Sequence, residues 1–289
     1  MATRVNTGGW RRARLAWPVV PGLALVVLVG GLPLARVAQL SVEHGSEAFR
    51  ALGTSEVFRK TLVNTLELAL TVTVLCLLLA YPLVYWLSSR PAKVASRYLL
   101  LLMLPFWISV LVRVYAWQII LGHDGLVNKL LLQLHLIQAP RDLLFTTPAV
   151  VLAMTHYLLP YMILALYSVC ASIDWRLMKA ARSLGASRPY AVRRVFLPLS
   201  VPGAVAGSML VFVLALGFFI IPALLGSPSD MTIAVYIERQ TSILRFDIAA
   251  AASTVLVAVS LVLFLVIDRV GGVQRTFAGG PGKDSSEPE

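Results

Sequence analysis

Apolar residues along this chain come in runs too long and too continuous for one face of a soluble helix. Six such runs appear, each close to the ~20 residues a helix needs to cross ~30 Å of hydrocarbon. They cover about Trp17 to Arg36, Thr61 to Leu87, Tyr98 to Leu121, Pro148 to Ala171, Ala204 to Leu225 and Ile248 to Ile267. The pattern predicts an all-α polytopic membrane protein with six transmembrane helices in one domain, residues 17–267. Residues 1–16 form a basic arm, and residues 268–289 a tail rich in Gly, Pro and Ser with mixed charge, predicted to be disordered. The first run follows a basic stretch as a signal peptide does, but it is too long and no A-x-A site follows, so it reads as an uncleaved span. Between the third and fourth runs, Gly125 to Leu136 is apolar with a few polar positions. It fits an interfacial helix and a helix packed on the bundle equally well.

Composition agrees with the pattern. The chain is 58% hydrophobic and 13% charged, with mean hydropathy +0.81, too little charge to cover a soluble surface of this size. The net charge of +11 does not indicate nucleic acid, because the cations sit in loops that flank apolar runs. The amino-terminal arm, the second and fourth loops and the tail hold sixteen Lys and Arg, against seven in the other three loops. The heavier side is predicted to be cytoplasmic, which places both termini inside. Cys76 and Cys170 lie within apolar runs, without metal spacing, and read as small buried hydrophobes.

The loop between the fourth and fifth runs, about 172–203, is the most informative segment. Asp174 is placed to cap a helix, since its carboxylate can accept from free first-turn amides. Leu177, Ala180, Ala181 and Leu184 follow at i, i+3, i+4 and i+7, an apolar stripe kept thin by its alanines. Gly185 suits the left-handed residue that ends a helix, and Pro189 prevents a simple restart. Periodicity alone fits an amphipathic connector lying on the membrane as well as it fits a docking handle.

This loop resembles the EAA loop of permease subunits of ATP-binding-cassette importers. In that family a glutamate, two alanines, a glycine and a later hydrophobic-x-Leu-Pro recur at set spacing. Ala180, Ala181, Gly185, Val195, Leu197 and Pro198 fit, with nine residues between Gly185 and Val195. Lys179 stands at the glutamate position and reverses its charge, so the partner differs there or the side chain points away. Pro105-Phe106-Trp107, Leu111 to Trp117, Pro160-Tyr161-Met162 and Gly217 to Gly226 are similar to segments of spermidine/putrescine permeases.

The resemblance implies a type I importer permease-like fold in a bacterial inner membrane and half of a translocation path. It implies three protein partners: ABC ATPase subunits, a second and non-identical permease, and an extracytoplasmic solute-binding protein. Lipid surrounds it, and the resemblance suggests no nucleic acid. Lys179, Ala180, Ala181, Leu184, Gly185, Val195, Leu197 and Pro198 then form the ATPase-coupling loop. The solute it implies is a polyamine, with other small organic solutes as the alternative. The chain lacks G-x-x-x-x-G-K-[ST], H-E-x-x-H, paired C-x-x-C and G-x-S-x-G, and is expected to be non-catalytic, with no metal or cofactor. A secondary transporter or channel working without an ATPase is a rival, but no inverted repeat is evident. An intramembrane enzyme using His156 and a serine such as Ser208 is another, and no motif supports it.

Glu67 and Arg113 are charges well inside runs, ~9 Å and ~12 Å from the outer ends at 1.5 Å per residue. Such charges cost at least about 2.5–3.5 kcal/mol on insertion scales and need a partner or water. They are expected to pair if their helices are neighbours. Alternatively, Glu67 lies on the path and recognises a substrate ammonium. Trp107, Tyr115 and Trp117 are either interfacial anchors or cation–π faces for such a substrate. His156 reads as a packed histidine, with a proton relay as the alternative. Gly203 and Gly207 make a small-x-x-x-small pair for close helix packing. Pro82, Pro105, Pro160, Pro198 and Pro222 lie in or beside the spans.

Overall fold

The computed structural model describes residues 19–43 and 46–271, and the expected amino-terminal arm and most of the expected tail lie outside them. Among the described residues the chain is built of helices and connecting turns. The elements are α1 (Val19–Glu43), α2 (Ser46–Thr54), α3 (Glu56–Ser88), α4 (Ala92–Met103), α5 (Val110–Leu121) and α6 (Leu126–Gln133). There follow α7 (Thr147–Cys170), α8 (Trp175–Ser183), α9 (Arg188–Leu216), α10 (Ile220–Leu225), α11 (Ile233–Ser242) and α12 (Phe246–Gly271). Helices α3, α7, α9 and α12 are each long and apolar enough to cross a membrane. The first expected span coincides with α1, which runs on for 25 residues to Glu43.

The core is the three-way contact of α3, α7 and α9. On α3 it takes Val72, Cys76, Ala80 and Val84, and on α7 Met154, Leu158, Met162 and Leu166, each a line at spacings of about one turn. Small residues let α9 approach α7 closely. A Cβ added at Gly203 would stand 2.9 Å from Val169 Cβ, and one at Gly207 2.8 Å from Met162 Sδ. The outward faces keep exposed Leu70, Leu78, Leu79, Leu261 and Leu265. A helix apolar on every side belongs in lipid. A satellite core of Leu52, Phe58, Tyr236 and Ile248 joins α2, α3, α11 and α12.

Two expected spans differ from the structure. The third is not continuous: a 3₁₀ turn at Leu104–Trp107 follows α4, Ile108 and Ser109 are extended, and the two halves meet at 88°. Pro105 has no N–H to continue the α-helical ladder. The Ile108 carbonyl left free at the break accepts from Arg113 Nη2 at 3.0 Å, which meets the requirement that backbone groups in lipid be paired within the protein. The fifth span begins well before Ala204 and ends earlier, since α9 is helical from Arg188 to Leu216 and the chain restarts as α10. The expected loop 172–203 is therefore mostly helix. Within α9, Val192–Phe196 is a π turn, with Leu197 N–H donating to Val192 O. Pro198 explains it, because in an α-helical register its ring would collide with the carbonyl four residues back.

Candidate functional site: the loop helix and a polar cavity

Helix α8 forms as its sequence predicts. Asp174 caps it, its carboxylate accepting from Arg176 N–H at 2.8 Å. It ends in a Schellman turn: Gly185 N–H donates to Arg182 O, Ala186 N–H to Ala181 O, and Gly185 has φ +89°. The helix has two apolar faces. Trp175, Met178 and Ala181, spaced by three, pack inward on the main core. Leu177, Ala180 and Leu184 face away from the bundle, Leu184 being 89% exposed. Ala181 thus leaves the outward stripe to which periodicity assigned it. Lys179 and Arg182 are exposed beside that stripe. A shallow cup lined by Ala181, Leu184, Gly185, Ala186, Ser187 and Tyr190 extends it. Val195 and Leu197 are half-buried and Pro198 is exposed.

Three aromatic rings missed in the sequence hold α8 from behind. Trp175 lies 5.5 Å from Tyr85 of α3 and 6.0 Å from Phe196 of α9, and Tyr85 meets Phe196 edge-on at 5.0 Å. Trp175 and Phe196 occur in stretches where aromatic residues have no periodicity of their own, so no sequence signal joins them.

The other end of α7 carries a polar cavity of about 190 Å³ lined by Asn64, Glu67, Thr71, Thr147 and Asp230 among apolar neighbours. Long-range hydrogen bonds shape it. Asn64 Nδ2 donates to Ser229 O at 3.0 Å, Ile233 N–H to Thr65 Oγ1 at 2.9 Å, and Thr147 Oγ1 to an Asp230 carboxylate oxygen at 2.7 Å. No Lys, Arg or His lines it.

Glu67 and Arg113 do not pair. Glu67 faces this cavity, whereas Arg113 lies over the Tyr157 ring at 4.4 Å and serves the helix break at Ile108. Their helices are separated by the α3–α7 packing, so the condition for pairing fails. Trp107, Tyr115 and Trp117 share no site: Trp107 is 87% exposed, Tyr115 is exposed, and Trp117 packs edge-on against His156 at 5.7 Å. His156 packs on Trp117, and among the described residues no hydrogen bond joins it to Ser208.

The family described as binding-protein-dependent transport system inner membrane component matches residues 51–274. The chain belongs to that family. It is 36% identical over 211 residues to the spermidine/putrescine transport system permease protein PotB of Salmonella typhimurium strain LT2, covering 73% of this chain and 74% of that protein. PotB of Escherichia coli K12 is 35% identical over 211 residues, 73% of this chain and 77% of that one. The molybdenum transport system permease protein ModB of Mycobacterium bovis is 30% identical over 254 residues, 86% of this chain and 92% of its own length. Among solved structures, a chain of a bacterial alginate ABC transporter, in complex with its alginate pentasaccharide-bound periplasmic protein, superposes with TM-score 0.75 at 22% identity. That match covers 90% of this chain and 96% of the other, and it establishes the fold.

Membership makes this chain a multi-pass inner-membrane permease component of an ABC importer. It is a transport subunit rather than the enzyme. An ATPase and a solute-binding protein complete such a system. Helix α8 and the cavity, at opposite ends of α7, are then the parts whose roles remain to be assigned.

Proposed function

We propose that this permease subunit forms half of the path for a polyamine, with α8 as its coupling helix in the cytoplasm and the cavity at Glu67 on the extracytoplasmic side. The observation that carries the coupling role is the outward apolar face of α8. Leu177, Ala180 and Leu184 are exposed, yet the helix is capped at both ends and backed by the core. An apolar stripe held rigid in a cytoplasmic loop is the form in which a helix fills a groove on a partner. Lys179 and Arg182 flank that stripe, so the ATPase groove offers acidic or neutral groups there, not the basic set a glutamate would need.

The polyamine reading draws on the PotB relatives and on charge. Glu67 and Asp230 line one cavity without a basic side chain in its lining, which suits an ammonium group. Two such subunits complete the path, the second a non-identical permease, with lipid against the remaining outer faces. Both termini lie in the cytoplasm by the distribution of Lys and Arg. ATP binding draws the coupling helices together and the spans rock from inward- to outward-facing.

The test is labelled spermidine and putrescine uptake in cells lacking their own polyamine importers. The cells express this chain with its neighbouring ATPase, second permease and binding protein. Saturable uptake that disappears in Gly185→Asp is the expected result. An assembled, ATP-hydrolysing complex that takes up neither amine moves the assignment to another small organic solute.

A further inference from the structure

We propose that Tyr85, Trp175 and Phe196 form a clasp through which α8 moves α3 and α9 together, making them positioning residues for coupling. The proposal rests on the coupling role given to α8 above. Trp175 is the first residue of α8, Tyr85 lies near the end of α3, and Phe196 closes the π turn of α9. Each ring touches the other two at centroid distances of 5.0 to 6.0 Å. Aromatic pairs of this geometry contribute beyond their buried area. The triangle therefore ties a surface helix to two separate spans at one point.

Three observations point past ordinary packing. First, the clasp continues inward. Tyr81 and Ser200, one turn deeper on α3 and α9, hydrogen-bond at 3.1 Å, and Ser200 is fully buried. A push on Trp175 thus meets two consecutive ties between the same two helices. Second, Phe196 is 1% exposed and sits where α9 leaves the α-helical register. A π turn is a place where a helix can shift register locally, and such turns concentrate at functional sites. Third, the Trp175 indole Nε1 is buried without an acceptor among the described residues. Its ring is held there although its N–H gains nothing, so the role belongs to the ring faces.

The clasp lies behind α8, on the side opposite Leu184. Damage to it should leave docking intact and sever transmission. The experiment uses the whole complex in proteoliposomes, reading ATP hydrolysis and labelled spermidine uptake in the same vesicles. Trp175→Ala is expected to keep the ATPase bound and hydrolysing while uptake per ATP falls at least tenfold, and Trp175→Phe should restore most of it. Tyr85→Leu, on α3 and away from the docking face, should reproduce the loss. It decides the matter if Trp175→Ala does not assemble. Leu184→Asp, on the outward face, should instead release the ATPase. If it does not, the coupling role of α8 fails on its own account.

Should the parent complex carry no spermidine, the polyamine reading falls and the clasp is judged by thiol labelling. Thr71→Cys lines the far cavity, while the native Cys76 and Cys170 are buried. Its labelling should respond to ATP with vanadate in the parent and not with Trp175→Ala or Tyr85→Leu. A wild-type ratio of uptake to hydrolysis in those variants, or labelling that responds alike in parent and variants or in neither, overturns the clasp.

Discussion

The two ends of this bundle are built on different physics. At the α8 end the surface is one short helix whose outward residues are exposed and whose inward residues are a tryptophan, a methionine and an alanine. At the cavity end the surface is made by polar side chains that reach across more than a hundred residues, Asn64 to Ser229 and Thr65 to Ile233. On the proposed reading the first meets a macromolecule that approaches as a body and pushes. The second is a small recess lined by two carboxyl side chains, which on the proposed reading receives a small cation. The long packed stretch of α7 joins them.

The largest expected effect is at the docking end. Gly185 has φ +89° with open space around its missing Cβ, so a replacement is opposed by backbone conformation and not by crowding. Asp there costs about 1–2 kcal/mol of strain and adds a carboxylate to the cup beside Leu184 and Tyr190. Uptake by Gly185→Asp should fall below detection while the chain still inserts and assembles. Gly185→Asn, which tolerates the left-handed region better, should keep a measurable fraction. Equal uptake by the two variants would rule out the added charge and leave the backbone conformation, which both replacements must adopt, as the cause.

At the cavity end, Glu67→Gln should lower polyamine uptake at least tenfold, mostly through a higher KM, with assembly and ATP hydrolysis unchanged. The substitution keeps shape and removes one of the two carboxylates that line the recess. Uptake at the parent level would take Glu67 off the path and leave the cavity a structural void.

The same contrast decides what could be read from sequence. Helix α8 was legible almost to the residue, because its signals are local: Asp174 as cap, an i, i+3, i+4, i+7 stripe, Gly185 as stop. Apolar length found α3, α7, α9 and α12 for the same reason. The cavity was legible only as an unexplained Glu67, since Asp230 and Thr147 join it through contacts between distant segments. Arg113 misled for a related reason. Its partners are a carbonyl freed by a helix break and the face of Tyr157, and neither carries a charge that sequence could match to it. The break itself was hidden because Pro105 alone does not specify where the chain turns by 88°. The π turn was hidden because Pro198 could equally have ended the helix.

A third prediction concerns the loop that Asn128 ties together, outside the lining of the cavity. Asn128 is 1% exposed, donates to Gly122 O and Arg141 O, and accepts from Arg141 N–H. Asn128→Ala removes three hydrogen bonds and leaves Arg141 N–H and O without this partner, while Gly122 O keeps Gly125 N–H, at about 0.5–1.5 kcal/mol per bond lost. Thermal unfolding of the purified complex should shift accordingly, while the KM for uptake stays within twofold. A change in KM comparable to that of Glu67→Gln would extend the substrate site into this loop.

The smallest effects lie midway between the ends, where α9 crosses α7. Gly203 and Gly207 both face α7 at less than van der Waals distance, but they meet different atoms. The nearest neighbours of a Cβ at Gly203 are the Val169 Cβ at 2.9 Å and the Leu166 carbonyl at 3.2 Å. Both are fixed to the backbone of α7, so the helices must separate to admit a methyl group. At Gly207 the nearest atom is Met162 Sδ, 2.8 Å away, on a side chain with three rotatable bonds. Gly203→Ala should therefore cost about 1–3 kcal/mol, the usual range for overpacking, and Gly207→Ala less than about 1 kcal/mol after Met162 moves. Each also gains a little from the lower unfolded-state entropy of Ala, which is common to both and cancels in the comparison. The measurement is the difference in unfolding temperature between the two variants, with spermidine uptake alongside. If Gly203→Ala proves the milder, α7 and α9 are free to slide past each other at this crossing. The close contact would then belong to one state of the transport cycle and not to the scaffold that joins its two ends.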